Sequence, residues 1–139
     1  LASLRLHGSH RAWVVHGSGL DELTTTGPST VLALDDDNVH TFTVDAVDLG
    51  LAPAIMDELV GGTPDVNAQV VRNVLAGQHG PHRNIVVLNA AAALVVAGVA
   101  DTLEEGLARA IESIDSGSAA ATLERWAAVS QQAAEELGR

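Results

Sequence analysis

The sequence contains no cysteine, no lysine and no tyrosine, and aromatic residues of any kind are few. Without cysteine there is no disulfide framework, no thiolate nucleophile and no zinc site built on thiolates. Trp13, Phe42 and Trp126 account for all of its tryptophan and phenylalanine, which is too little for a platform on which nucleic-acid bases stack. Alanine and valine must therefore fill most of the core.

The charge is strongly acidic. Asp and Glu number 18 against 7 basic residues, all of them arginine, for a formal net charge of −11. Nucleic acids and anionic membranes need clustered positive charge, so this balance argues against both as partners. It leaves open a phosphate ligand that is held through a bridging metal cation. Hydrophobic residues make up 47% of the 139 residues, which predicts a packed core in one domain.

At its start, the sequence shows no initiating methionine, and we expect no secretory signal in it. The first residue is Leu1 and the single methionine is Met56. No charged segment followed by an apolar segment marks a secretory signal. We expect the sequence to be the later part of a longer polypeptide.

The first third of the sequence has the pattern of β-strands. Residues 12–16 are short, β-branched and apolar on both faces, as in a buried central strand. Residues 29–34 and 38–44 are two β-type runs that flank the acidic residues 35–37, which predicts a hairpin with an acidic turn. We favour a solvated turn over a calcium loop there, because an EF-hand needs a glycine in mid-loop and a glutamate at its end.

The remainder of the sequence is mostly helical in pattern. Asp65 is a plausible cap for one helix, and Thr102 with Glu105 forms a capping box that opens another. In the last helix, the pattern predicts a buried face made by Leu123, Trp126, Ala127 and Ser130. The helices are predicted at residues 54–60, 66–75, 103–115 and 119–137. Together with the strands, they predict an α/β fold in which several helices pack on a short sheet.

One uncharged stretch is ambiguous. A helix over residues 85–100 would span about 24 Å, short of the ~30 Å hydrocarbon core of a membrane, so we expect this stretch to be buried inside the protein. Its start has the composition of a strand and its end that of a helix. Periodicity does not decide between the two in a run that is apolar all round.

The first candidates for chemistry are Asp21 and Glu22, which follow the first strand and a glycine turn. In open α/β sheets, ligands lie beyond the carboxyl ends of the strands. Mg²⁺ takes one or two carboxylates and completes its octahedron with water and substrate phosphate. On spacing alone, however, we favour a solvated pair over a metal site, because acidic pairs in loops are commonly just solvated.

The other candidates are weaker. His16, at the end of a strand, has the position of a general acid or base, but a core or packing histidine is the favoured interpretation. His79 and His82 lack further ligands for zinc. The pair Gly17 and Gly19 matches neither dinucleotide nor P-loop fingerprints, and no G-x-S-x-G elbow anchors a serine nucleophile.

Three motifs carry a resemblance that covers nearly the whole chain. VVHGSGLDELTTTG at residues 14–27 is followed by GGTPDVNAQVVRNVLAGQHGPHRNIVVLNAAAALVVAG at residues 61–98. EEGLARAIESIDSGSA at residues 104–119 completes the set. In order and spacing, these motifs resemble the carboxyl-terminal half of the anthranilate phosphoribosyltransferase family of tryptophan biosynthesis.

The resemblance implies a fold, an activity and a site. The fold is the carboxyl-terminal part of an α/β domain like that of nucleoside phosphorylases, with residues 84–98 as helix. The activity is transfer of phosphoribosyl from phosphoribosyl pyrophosphate (PRPP) to anthranilate, with Mg²⁺ on the pyrophosphate. Asp21 and Glu22 would bind this Mg²⁺, and His16 would have no catalytic role. A cytoplasmic location and a homodimer of the full enzyme are implied as well.

Several family features are missing from the sequence. It lacks the GTGGD pyrophosphate loop, the lysine-histidine-glycine-asparagine segment and the arginine that meets the anthranilate carboxylate, all of which precede this region in the family. We expect residues 1–139 to form one partial α/β domain. The amino-terminal helical domain and the first half of the α/β domain would be absent, and such a piece would be inactive alone.

Two alternatives stay open. Some proteins that resemble this family bind nucleic acid without transferase activity, although they are expected to have basic surfaces. Pyrimidine-nucleoside phosphorylases share the fold, but the DELTTTG loop at residues 21–27 fits the tryptophan-pathway family better.

Overall fold

The structure is a computed structural model that describes residues 1–36 and 38–138. A short helix and three strands come first, and the later part of the chain is mostly helical. The elements are α1 (Ala2–Leu6), β1 (Arg11–Gly17), β2 (Ser29–Asp35), β3 (Asn38–Val44), a 3₁₀ turn (Met56–Glu58), α2 (Pro64–Leu75), α3 (Pro81–Val96), α4 (Leu103–Asp115) and α5 (Ser118–Glu136).

The strands form an antiparallel sheet in the order β1-β2-β3. The predicted hairpin is confirmed, with Asp35 opposite Asn38 across its end. Asp35 is exposed and accepts a hydrogen bond from Arg11 at 3.0 Å, as expected of a solvated turn. Asp37, also part of the predicted acidic turn, lies outside the described residues.

The predicted place of the first strand was wrong. β2 is the central strand and β1 pairs with β2 alone among the described residues. Val14 on β1 is 46% exposed. An apolar pattern on both faces therefore did not reveal where the strand sits in this sheet, because it says nothing about how many neighbours the strand has.

Helix α3 resolves the ambiguous stretch in favour of helix. Pro81 occupies its start, where a missing N–H costs nothing. Val87, Leu88 and Ala91 are buried in the core that α3 shares with α4 and the sheet. Length favours the helix as well, since strands rarely continue for so many residues.

The helix ends differ in detail from the sequence prediction. Thr63, rather than Asp65, is the cap of α2, because Pro64 takes the first helical position. The Thr102 hydroxyl accepts from the Glu105 N–H at 3.2 Å, as predicted. The Glu105 carboxylate instead accepts from the N–H of Asp101 at 3.0 Å. That backbone hydrogen bond, together with Arg109, lowers the pKa of Glu105.

The predicted buried face of the last helix is not buried: Leu123 is half-buried and Trp126 is exposed. Helix α5 contains no buried residue, and Trp126 is 72% exposed. Only the start of the helix, at Ala119, packs against the core cluster. Residues 54–60 also form less helix than predicted, namely the single 3₁₀ turn.

Candidate metal and phosphate site at the end of strand β1

A tight turn places the acidic pair directly after β1. Gly17 and Leu20 exchange two backbone hydrogen bonds, of 3.0 and 2.9 Å. Between them, Ser18 and Gly19 have positive φ angles of 48° and 96°, the backbone of a type I′ turn. The chain therefore reverses within a few residues and delivers residues 21 and 22 at the end of the strand.

Both predicted metal ligands are exposed at this position. Asp21 and Glu22 lie in a bend immediately before the buried residue Leu23. Their carboxylates are hard oxygen ligands of the kind that Mg²⁺ prefers. Within residues 1–36 and 38–138, no three His, Asp or Glu side chains form a group that could hold a metal. Two carboxylates alone do not complete a metal's coordination, so a Mg²⁺ ion here would need waters and substrate phosphate as its remaining ligands.

The segment that follows the acidic pair is buried and fixed by hydrogen bonds. Leu23, Thr24 and Thr25 are at most 2% exposed. The Thr24 N–H donates to the hydroxyl of Ser29 at 3.0 Å. The hydroxyls of Thr24 and Thr26 lie 2.9 Å apart. Burial and hydrogen bonds thus hold the backbone that directly follows the two exposed carboxylates. A metal site on a loop needs such support.

A second anchor comes from helix α3. The side-chain amide of Asn89 bonds to both backbone groups of Leu23, accepting from its N–H at 3.0 Å and donating to its carbonyl at 2.7 Å. Sequence reasoning missed this role. The available signal was a lone polar residue in the middle of an uncharged apolar stretch.

Close packing around Gly17 completes the loop. A Cβ atom at this position would collide with the Glu22 carbonyl oxygen and lie 2.9 Å from Cγ2 of Thr24 and 3.0 Å from Oγ of Ser29. A backbone oxygen cannot rotate away as a side chain can. Glycine at this position therefore lets the acidic loop fold back onto the end of β1.

The histidines do not join this site. His16 is exposed on β1 opposite Thr30, so its interpretation as a core histidine was wrong. His79 and His82 lie in and just after the loop between α2 and α3 and border a cavity of about 110 Å³. In the described part of the chain they belong to no metal-holding group.

A buried arginine beside that cavity was also missed by sequence reasoning. Arg83 is 4% exposed and lies 2.7 Å from the carboxylate of Asp115. It also donates to the carbonyl of Gly77 at 2.9 Å. These contacts tie the start of α3 to the end of α4, and they give Arg83 a structural role.

The family follows from comparison with known proteins. The model described as "Glycosyl transferase family, a/b domain" matches residues 2–120. The chain belongs to this family. It is 57% identical over 124 residues to the anthranilate phosphoribosyltransferase of Methylobacterium nodulans, a match that covers 88% of this chain and 37% of the relative. The resemblance inferred from the motifs is confirmed.

Solved structures of anthranilate phosphoribosyltransferases show the same fold. The enzyme from Thermus thermophilus aligns with a TM-score of 0.77 at 37% identity, over 85% of this chain and 35% of that one. The enzyme from Saccharomyces cerevisiae in complex with PRPP and Mg aligns with a TM-score of 0.79 at 27% identity, over 88% and 36%. The α/β fold expected from the sequence is confirmed.

The chain spans little more than a third of the length of these relatives. Among residues 1–36 and 38–138, no helix combines the length and the apolar character that crossing a membrane requires.

Proposed function

We propose that this chain is the part of an anthranilate phosphoribosyltransferase that holds Mg²⁺ on the PRPP donor. The observation that carries the proposal is the pair of exposed carboxylates, Asp21 and Glu22, on a loop that is anchored at the end of β1. The matching fold of the yeast enzyme that was solved with PRPP and Mg supports it.

The proposed chemistry is leaving-group stabilisation. A bound Mg²⁺ would neutralise charge that develops on the departing pyrophosphate. Asp21 and Glu22 would hold it, and the buried segment behind them would keep both carboxylates in place. Residues of this chain would then position the donor, without acting as acid, base or nucleophile.

The rest of the activity needs groups that are not in this sequence. A cradle for the donor phosphates and a pocket for anthranilate would come from residues outside it, so we propose that residues 1–139 form one partial α/β domain that is inactive alone. The full enzyme would act in tryptophan biosynthesis, as a homodimer and in the cytoplasm.

A chimeric enzyme tests this function. Residues 2–120 would replace the matching segment of the Methylobacterium nodulans relative, which is 57% identical over 124 residues. We expect the chimera to form phosphoribosyl anthranilate in the presence of Mg²⁺. Changing Asp21→Asn together with Glu22→Gln should lower kcat/KM by about a hundredfold or more, because the metal clamp contributes several kcal/mol to such a transition state.

The chain offers a matched control for this change. Asp57 and Glu58 form a second exposed Asp-Glu pair, at the 3₁₀ turn. Changing Asp57→Asn together with Glu58→Gln alters the net charge equally and should leave the rate within about twofold of the parent. A chimera that loses equal activity from both double variants, or from neither, would contradict a specific role for the first pair.

A further inference from the structure

We propose that Asn89 is a positioning residue for the acidic pair, through its grip on the backbone of Leu23. The inference rests on the proposed function, since it assigns how the metal-holding carboxylates are kept in place. Asn89 itself would touch neither metal nor substrate. It would act by fixing the peptide that directly follows Glu22.

The side-chain amide of Asn89 makes three hydrogen bonds that depend on one orientation of the amide. Its Oδ1 accepts from the Leu23 N–H at 3.0 Å. Its Nδ2 donates one hydrogen to the Leu23 carbonyl at 2.7 Å and the other to the carbonyl of Ile85, one turn earlier in α3, at 2.9 Å. If the amide were rotated by 180°, its oxygen would face the carbonyl oxygens of Leu23 and Ile85, and its NH₂ group would face the N–H of Leu23. Both arrangements are repulsive. The observed orientation is therefore the one that the surroundings impose.

These bonds join parts of the chain that are far apart in sequence. Asn89 and Leu23 are 66 positions apart. The Asn89 side chain pairs with the N–H and the carbonyl of Leu23 in the way that a neighbouring strand's backbone would. Exposed loops are ordinarily mobile, whereas a metal site needs its ligands held within a fraction of an ångström. The bonds from α3 supply that restraint at the residue next to Glu22.

The position of Asn89 argues against a purely structural role. It lies in the middle of a helix whose neighbouring turns bury Leu88, Ala91 and Ala92. Leucine branches at the same side-chain carbon as asparagine and has a higher helix propensity. It is bulkier, but Asn89 borders a groove that leaves room for it, so an apolar residue would serve packing here at least as well. What leucine cannot do is accept from one backbone group of Leu23 while donating to the other.

The test uses the 139-residue chain and Mn²⁺ as a paramagnetic probe in NMR spectra. In the Asn89→Leu variant, we expect the amide hydrogen of Leu23 to exchange with solvent about tenfold faster, which corresponds to the loss of one hydrogen bond. We also expect about tenfold weaker Mn²⁺ affinity at the acidic pair, read from the broadening of amide signals at residues 20–24. That is the loss found when residues that orient metal ligands are changed.

Asn84→Leu is the matched control. Asn84 lies in the first turn of the same helix, and its side chain makes no hydrogen bond to the acidic loop in the described part of the chain. The same chemical change at this position should leave Leu23 exchange and Mn²⁺ affinity within about twofold of the parent.

A second variant covers a failure of Asn89→Leu to fold. Asn89 borders a groove of about 340 Å³ between α3 and β1. Asn89→Ala therefore leaves room for water to reach the two polar groups of Leu23, and the same two losses are expected. Thermal unfolding of each variant shows whether the chain is still folded. Weaker Mn²⁺ binding in a folded variant then reports displaced carboxylates and not an unfolded chain.

The outcomes separate this inference from the proposed function. Parent-like Mn²⁺ affinity in a folded Asn89→Leu or Asn89→Ala chain would overturn the role of Asn89 and leave the acidic pair intact as the metal site. Absence of Mn²⁺ broadening at residues 20–24 in the parent chain, both without and with inorganic pyrophosphate, would overturn the proposed metal site and this inference with it. Faster Leu23 exchange together with weaker affinity supports both.

Discussion

Replacing Gly17 with alanine should destabilise the chain by about 1–3 kcal/mol, as overpacking of a tight site does, and weaken Mn²⁺ binding at the acidic loop by about tenfold or more. The new Cβ would collide with the Glu22 carbonyl oxygen and lie 2.9 Å from Cγ2 of Thr24. Relief requires the loop to lift away from β1, and that movement carries both carboxylates with it. Urea unfolding and Mn²⁺ titration measure the two effects.

Gly61→Ala provides the matched control for this change. Like Gly17, Gly61 lies outside the helices, and its conformation does not require positive φ. The closest atom to an added Cβ there is Oδ1 of Asn67, at 2.7 Å. This exposed side chain can rotate away at the cost of its two hydrogen bonds to Gly62, whereas the backbone oxygen of Glu22 cannot. Both substitutions stiffen the unfolded chain alike. If Gly17→Ala were as stable as Gly61→Ala and bound Mn²⁺ equally well, the close packing around Gly17 would contribute neither to stability nor to the position of the acidic pair.

Replacing Gly106 with alanine should destabilise the chain by about 2 kcal/mol through overpacking, although the same change in an exposed helix stabilises it by about 1 kcal/mol. The added Cβ would lie 2.7 Å from the carbonyl oxygen of Ala91 and 3.1 Å from its Cα. Both are backbone atoms of α3, so α3 and α4 would have to separate. The free energy of unfolding in urea measures the change.

Ala108→Gly, at an exposed site in the same helix, calibrates the helix propensity. It should cost about 1 kcal/mol. A Gly106→Ala variant more stable than the parent would mean that the gain in helix propensity exceeds the cost of the clash with Ala91. The helices α3 and α4 would then not approach as closely as described. The contact matters for the site as well, because Ala91 lies two positions after Asn89 on α3.

The local patterns with a clear period were predictable. Helix α4 forms with the bounds that the sequence predicted, residues 103–115, and buries Leu107 and Ile114 on one side. The hairpin of β2 and β3 likewise followed from two β-type runs around a polar turn. In both cases the side-chain pattern and the local backbone preferences point to the same structure.

Features that depend on distant neighbours were not predictable. The apolar sequence of β1 does not reveal that the strand lies at the edge of the described sheet. The periodicity of α5 suggested a buried face, yet Trp126 is 72% exposed. A pattern shows which side of an element is apolar, whereas burial depends on what packs against that side.

In the candidate site, too, some residues could be predicted from the sequence and others could not. Asp21 and Glu22 could be named as candidates from their position after a strand and a glycine turn, but it was the resemblance to the family that favoured a metal role over a solvated pair. The Asn89 anchor could not, since its partner is a pair of backbone groups 66 positions away. Every residue except proline has the same backbone N–H and carbonyl groups, so the sequence does not show which residue's backbone a side chain will bond to.

Mn²⁺ mapping of the unmodified 139-residue chain by NMR tests the magnesium role of the acidic pair most directly. Acidic residues occur elsewhere on the surface, including Asp35 with Asp36 and Asp57 with Glu58, so the ion has a choice. Amide signals of residues 20–24 should broaden at the lowest Mn²⁺ concentration, and excess Mg²⁺ should restore them. Broadening that begins at residues 35–36 or 57–58 and spares residues 20–24, with inorganic pyrophosphate present as well as without it, would show that Asp21 and Glu22 are not the metal site.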